Sequence, residues 1–600
     1  MKKYITTAIT LFSSLLSLAQ VSPQPWVAYT LTVDARDLSG FAVEMRLKNM
    51  PSTFQLAMVA HPEYDDRYWR YVQGLGIETN DGNGTIVRED SALWRVRIPG
   101  KEAIVRYRIH LPKEREGQRA AWRPFLTATG GLTGGPHAFM YIVGNTKVSS
   151  IVKLNIPAGW EIVTGMHKEK EPFTFRASSV GVLIDCPFLI GKFKRWNFNV
   201  AGVRHEVAYW LLPDAKPVDS VKLVDATKKI VEQAAAVFGK LPYNEYFFLL
   251  QDGAYGALEH ANSVTLGIPT SDLEKDFPDY LNEIAHEYFH NWNLVRIHPA
   301  EYGDVSYIKQ PLSKGLWFSE GFTMYYADLL TLRAGLLLTD TTRIKHLERL
   351  IRRYYNSPGN RQLSPETVSM AEYGPPGMLG DYTGSSHLQG ELIAMVLDLV
   401  IRDATNGKRS MDDVMKEMMK TFSGEKGFTS KDIEEIVSSI SGTDLHQFFV
   451  DHVYGNKEID LNKYIRLAAF EFDLSWRDAT DRQGKLAADL RIFPFEFNPG
   501  DIVRLAITDP VSVWGKAGVH TGDQVTAMNG MPLKNNDDFW GLMRKVQLGD
   551  TVNLQILRPS GMWQTSVVIG TYRQAVIKLR EVENLTERQE KLRKDWVVGR

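Results

Sequence analysis

The spacing of apolar residues changes twice along this 600-residue chain, and that alone restricts it to a mixed, multidomain fold. From Val27 to about Ile109 they alternate, as in Tyr29, Leu31 and Val33, then Phe41, Val43, Met45 and Leu47, then Val105, Tyr107 and Ile109. Period two, with Gly, Asn and Asp between the runs, predicts an antiparallel β-domain with one buried face. GGLTGGPH at 130–137 reads as a flexible loop, and strands are expected to continue through SIVKLNIP and HEVAYWLL. Near position 219 the pattern becomes helical in DSVKLVDATKKIVEQAAAVFGK, with Gly239 placed as a helix stop. Strand EYFFLLQD and the segment GALEHANSVTLG at 256–267 follow, and nearly everything from there to Gly455 reads as helices joined by loops. Around residue 465 strand-like alternation returns. A sheet followed by a helical half is an α+β arrangement, and a chain of this length suggests about three or four domains, each burying its own core.

Composition narrows the class. The first twenty residues, MKKYITTAITLFSSLLSLAQ, have two lysines, an apolar run and a small-residue Ser17, Leu18, Ala19 ending, which reads as a cleaved export signal. The rest holds no run of about 18 apolar residues, so no transmembrane helix is expected. Cys186 is the single cysteine, which excludes an intramolecular disulfide framework, and it is expected to pack as a small apolar residue. A formal charge of -1 argues against nucleic acid and anionic membrane surfaces as partners. Charged residues at 24% and hydrophobic ones at 44% describe ordinary globular protein.

The segment NEIAHEYFHNW at 282–292 carries the chemistry. Leu281, Ile284, Ala285, Tyr288, Phe289 and Trp292 form one apolar face of a helix, with Pro278 in its first turn and Asp276 as a cap. His286 and His290 lie off that stripe and four residues apart, so their imidazoles project side by side toward one ion. Glu287 follows the first histidine, the general-base position of a His-Glu-x-x-His peptidase. A catalytic zinc takes three protein ligands, and LWFSEGFTMYYADLL at 316–330 offers Glu320 as the third. Phe318, Phe322, Tyr325 and Tyr326 are expected to pack that segment on the first helix. In GALEH, Glu259 has two readings: an anchor for a substrate's free α-amine at the end of an edge strand, or a surface carboxylate in a strand-loop. In the first, the peptide lies antiparallel along the strand near Ser263 to Leu266.

These residues together resemble the glycyl aminopeptidase family of gluzincins, secreted zinc peptidases with a β-domain, a thermolysin-like catalytic domain and a PDZ domain. The likeness rests on GALEH, HEYFHNWN, the Arg296 stretch LVRIHP, LWFSEGFTMYYADLL with RAGL, the helix GELIAMVLDLVIR, and DLHQFFVDHVYG. It implies one zinc per chain on His286, His290 and Glu320, Glu287 as general base and acid, Glu259 as amine anchor, and peptides with small N-terminal residues as substrates. The family precedes the GELIAMVLDLVIR helix with a Tyr-x-Lys-Gly motif whose tyrosine stabilises the tetrahedral oxyanion. This chain has HLQG at 387–390, so either His387 itself or Tyr382 from the preceding loop is expected to supply that hydrogen bond.

VHTGDQVTAMNGMPL at 519–533, with DPVSVWGKAGV before it and DDFWGLMRKV after it, resembles the core of a PDZ domain. FEFNPGD stands where a glycine-rich carboxylate loop belongs, so capture of a peptide C-terminus and a packing role are both open. The expected organisation is a signal over 1–19, the β-domain over 20–205, the thermolysin-like zinc peptidase over 206–460, a PDZ-like domain over 465–575 and a charged helical tail over 576–600. Export places the protein in the periplasm or outside the cell.

Overall fold

The computed structural model describes residues 24–60, 67–113, 119–303, 307–309, 311–336, 340–497 and 500–599, so the expected export signal lies outside it. The N-terminal domain is built around strands β1 (Trp26–Asp34), β2 (Asp37–Lys48), β3 (Ala103–His110), β4 (Gly130–Gly134), β5 (Ser150–Asn155) and β6 (Pro187–Gly191). Alternate residues of β1, β2 and β3 turn inward as the period-two pattern requires, and Leu31, Phe41, Met45 and Ile109 are fully buried. The sheet is not wholly antiparallel. β1 pairs antiparallel with β2 but parallel with β5, Val27 standing opposite Ser150. A hairpin sets the direction on one side of β1, whereas a long crossover leaves either direction open on the other.

In the predicted loop at 130–137, residues 130–134 are instead β4, buried throughout and paired with β6, and 135–137 form a buried helical turn. Its glycines answer close backbone approach: a Cβ on Gly131 would fall 2.2 Å from the Phe125 carbonyl oxygen, and one on Gly130 2.6 Å from that of Ile190. Cys186 packs in this domain's core, and burial pushes its thiol well above the ordinary range.

The second domain opens with a five-stranded sheet in the order β7 (Phe193–Val200), β8 (Val203–Trp210), β9 (Glu245–Gln251), β11 (Ser263–Gly267), β10 (Ala257–Glu259). β7 and β8 form one hairpin, paired from Phe193↔Trp210 to Val200↔Val203. This hairpin spans the expected division at 205/206: Val207 and Tyr209 bury against the helices of the second domain, and Ala208 and Trp210 against the N-terminal domain. β11 pairs parallel with β9 on one side and antiparallel with β10 on the other. Its backbone is thus taken, and the edge open to a peptide is β10 rather than the Ser263–Leu266 stretch.

Helix α1 (Ser220–Phe238) covers this sheet and ends at Gly239 in the left-handed region, as its sequence predicts. Helices α2 (Phe277–Phe289), α3 (Leu316–Arg333), α4 (Pro365–Glu372) and α5 (Ser386–Ala404) complete the site's frame. Phe289 of α2 stacks on Tyr326 of α3 with ring centroids 4.3 Å apart. Burying such a ring contributes on the order of 1.5–3 kcal/mol. Among the described residues, no helix is long and apolar enough to cross a membrane.

Strand β12 (Phe470–Asp478) leads into a C-terminal sheet ordered β13 (Ile492–Phe495), β14 (Arg504–Ile507), β15 (Gln524–Met528), β16 (Thr551–Arg558), β17 (Gly561–Val568), with helix α6 (Asn536–Met543) beside β13. The chain then returns through β18 (Arg573–Glu581), which pairs with β12. β18 crosses the expected boundary at 575/576, and the supposed charged tail is helix α7 (Glu587–Val597), docked into the helical domain's core. Trp596 is buried there beneath the Arg343 guanidinium, 4.3 Å from its ring. The charges of α7 mark its solvated face, and its few apolar residues decide where it lies.

Candidate metal centre

The site begins with α2. Asp276 occupies its N-cap position but makes no side-chain cap bond, while Pro278 sits in the first turn. Leu281, Ile284, Ala285, Tyr288 and Phe289 bury the apolar face against the sheet and α3. His286 and His290, one turn apart, bring their Nε2 atoms to 3.0 Å with rings at 89°. His290 Nδ1 lies 2.8 Å from the Asn293 carbonyl oxygen, the contact of a donating N–H, which leaves a lone pair on Nε2. Asn293 also donates through Nδ2 to the Phe318 and Ser319 carbonyls and to Thr323 Oγ1, at 3.0–3.1 Å. One asparagine thus fastens the end of α2 to the start of α3, where Glu320 projects.

Glu320 Oε2 stands 3.6 Å from His286 Nε2 and 3.4 Å from His290 Nε2. At a tetrahedral zinc with bonds of about 2.0–2.2 Å, neighbouring ligand atoms lie about 3.3–3.6 Å apart. The two separations to Glu320 match that figure, the 3.0 Å between the imidazoles is a few tenths shorter, and two imidazoles with one carboxylate are a zinc donor set, so the residues present fit the ion.

The electrostatics agree. Glu259, Glu287 and His290 bring their polar atoms within 4.8 Å of one another. Burial pushes Glu287 well above the usual carboxylate range and raises Glu259 as well. Burial also works to raise Glu320, but His290 and His387 beside it hold it well below that range. Burial lowers His286 to about 4, whereas in His290 it is outweighed by Glu320 and Glu259, and that ring rises to about 10. Three carboxylates sharing a nearly dry pocket repel one another unless positive charge is present.

Glu259 ends β10, the sheet's edge strand, and the turn after it is tied down from three directions. Asp185 of the N-terminal domain accepts from Ala261 N at 2.9 Å and faces His260 Nδ1 at 3.3 Å. Asn262 Nδ2 donates to the Gly165 carbonyl at 3.0 Å. Arg296 donates to the carbonyls of Asn291, Pro242 and Ala261, joining this hairpin to the metal helix. A cavity of about 400 Å³ opens here between the two domains, lined by Leu258, Glu259, Leu294 and Val295 on one side and Val182 and Asp185 on the other.

The HLQG segment forms the first turn of α5. Gly390 permits its position: a Cβ there would lie 1.7 Å from the Trp317 carbonyl oxygen, so α3 and α5 cross at backbone contact. That crossing brings His387 Nε2 to 3.1 Å from Glu320 Oε2, its ring nearly parallel to His286 with centroids 5.9 Å apart. Gln389, which replaces the expected lysine, donates to the Asn360 and Leu363 carbonyls and is structural. Tyr382 makes no hydrogen bond with the cluster among the described residues. It lines a cavity of about 310 Å³ between its own loop and the C-terminal domain.

Sequence reasoning missed Glu372, Asn293 and Asp185. Glu372, at the end of α4, accepts from Ser386 Oγ and lies 3.7 Å from His387 Nδ1. Asn293 carried a signal, since it sits one turn beyond His290. Glu372 and Asp185 carried none, because only tertiary packing brings them near.

Residues 279–388 match the M61 glycyl aminopeptidase family, and residues 28–192 match the Peptidase M61 N-terminal domain. No curated protein matches the chain. Among solved structures, the chain is similar to an aminopeptidase N family protein from Idiomarina loihiensis, with a TM-score of 0.73 and 20% identity, covering 95% of this chain and 100% of that one. At that identity the likeness concerns the fold. An M1 zinc metallopeptidase from Deinococcus radiodurans matches at a TM-score of 0.46 and 16% identity over 72% of this chain and 94% of that one. A mutant of that enzyme has been solved with a Tyr-Ser-Ala substrate.

Proposed function

We propose that this chain, a member of the M61 glycyl aminopeptidase family by both of its matching domains, is a zinc aminopeptidase that binds one zinc per chain and removes small N-terminal residues from peptides. The observation that carries the reading is the convergence of His286, His290 and Glu320 near ligand spacing beside two further half-buried carboxylates. Zinc held by those three residues would supply Lewis acidity to the scissile carbonyl and the attacking water.

The chain's own groups do the rest. Glu287, next to the first histidine, takes the water's proton and delivers it to the leaving amine. Its burial supports a base whose affinity for protons is raised above that of an ordinary carboxylate. Glu259 accepts hydrogen bonds from the substrate's α-ammonium and so counts one residue before the scissile bond. The peptide backbone adds to the open edge of β10, in the cavity between the domains. His387, rather than Tyr382, is the residue we place at the reacting centre.

The test is hydrolysis of glycyl- and alanyl-p-nitroanilide with and without 1,10-phenanthroline, with zinc measured on the same sample. Chelator-sensitive cleavage at about one zinc per chain is expected, and chelator-insensitive cleavage would sink the reading. The cavity's extension to Tyr302 and Tyr307 favours, as a second reading, an endopeptidase of the same fold. An N-acetylated peptide separates the two, because only an enzyme that needs the free amine loses the blocked substrate.

Two further roles belong to this reading. The lysine-led apolar run over residues 1–20 supports export to the periplasm or beyond. In the PDZ-like C-terminal domain, the open edge of β13 beside α6, with Phe493 and Trp540 ring centroids 6.2 Å apart, supports capture of a peptide C-terminus. Fluorescence titration with free and amidated C-terminal peptides tests the second, and equal binding of both would remove it.

A further inference from the structure

We propose that His387 is a fourth metal ligand in the resting protein, closing the position that a hydrolytic zinc keeps open for water. The inference rests on zinc being held by His286, His290 and Glu320, and extends that centre by a residue where relatives of this chain are expected to carry a tyrosine.

Glu320 Oε2 faces three imidazole nitrogens at 3.6, 3.4 and 3.1 Å, and the shortest of these belongs to His387. All three fit the roughly 3.3 Å edge of a zinc tetrahedron. The potential ligand atoms of His286, Glu320 and His387 also form one group, all within 4.8 Å of one another.

The other side of the His387 ring decides which nitrogen carries its proton. Nδ1 lies 3.4 Å from Ser386 Oγ and 3.7 Å from Glu372 Oε1. Ser386 has already given its own proton to Glu372, so both neighbours of Nδ1 accept. When Nε2 binds a metal, Nδ1–H faces these two acceptors, the same arrangement that the Asn293 carbonyl gives His290. Without a cation Nε2 pairs with the Glu320 carboxylate at 3.1 Å, and a cation between them converts that pairing into shared coordination. An oxyanion donor would need the proton on the opposite nitrogen.

His387 is also the ligand built to leave. Its side chain is 37% exposed, against 10%, 3% and 9% for His286, His290 and Glu320. It starts α5 and has solvent on one side, so a rotamer change frees the metal without moving a helix. The resting centre is thus capped by its own chain, and substrate opens it by displacing an imidazole.

X-ray absorption on the zinc-loaded full-length protein reads the ligand count directly. Three imidazoles in the wild type and two in His387→Phe are expected, with the zinc dissociation constant rising tenfold or more in the variant. Should that variant fold poorly, His387→Asn, too short to reach the ion, serves in its place. A two-imidazole shell in the wild type overturns the inference. A wild-type protein that takes up no zinc would instead overturn the metal reading beneath it.

Discussion

The two walls of the metal pocket are built on different terms. One is made of α2 and α3, where His286, His290 and Glu320 project from helices buried on nearly every side and locked together by Asn293. The other is the first turn of α5 with the loop before it, where His387 is half-exposed. That loop is held from the C-terminal domain: Asp381 accepts from Thr521 N and lies against His520 Nδ1, each at 2.7 Å. The difference teaches that His286, His290 and Glu320 are fixed by dense packing, while His387 stands where a side chain can change its rotamer.

Breaking the rigid wall has the largest expected effect. Glu320→Ala removes the carboxylate that all three imidazoles face, so the purified protein is expected to lose its zinc and fall to background hydrolysis, both measured on one sample. Retained zinc would show that the α2–α3 wall is not where affinity resides.

Next comes Glu287→Gln, which keeps the wall but removes the base. We expect kcat to fall by roughly 10²–10⁴ with zinc content unchanged. Full turnover in this variant would assign proton transfer elsewhere.

The join between the walls is tested by Gly390→Ala. The new methyl meets the Trp317 carbonyl at a separation no real contact reaches, so a loss of about 3 kcal/mol in unfolding free energy is expected from denaturant titration. A neutral result would mean that α3 and α5 do not cross at backbone contact.

A smaller effect is expected from Glu259→Gln. KM for free-amine substrates should rise by about 10–100-fold, while an acetylated peptide changes little, because a buried charge-assisted hydrogen bond contributes roughly 1.5–3 kcal/mol. Equal effects on both substrates would return Glu259 to a lining role. Smallest of all, His520→Ala removes one of two contacts on Asp381, and a change in kcat/KM within about fivefold is expected from a partly exposed pair. A much larger change would make the C-terminal domain part of the reacting wall.

Some of this was legible in advance and some was not. The α2 helix could be read because its apolar face and its two histidines repeat at the same short helical spacing, and Glu320 because an aromatic helix soon follows. The GGLTG strand was misread because glycine signals either freedom or close approach, and only the neighbouring carbonyls of Phe125 and Ile190 decide which. The β7–β8 hairpin was divided between domains because its alternation continues that of the strands before it, while its two faces bury against different domains. In α7 a dense run of charge concealed Leu592, Trp596 and Val597, which anchor it far from its neighbours in sequence.

By itself the sequence determined what repeats within a turn or two of chain: the alternating strands, and the helix that sets His286, Glu287 and His290 side by side. Backbone geometry makes such positions neighbours whatever the rest of the molecule does. Tertiary structure alone decided that β10 is the open edge, that Asp185 steadies the turn after Glu259, and that Glu372 and Ser386 face one side of His387 while Glu320 faces the other. Those contacts join residues far apart in the chain. Their geometry comes from how closely two helices and two sheets can approach, a property of packed volumes that no local spacing encodes.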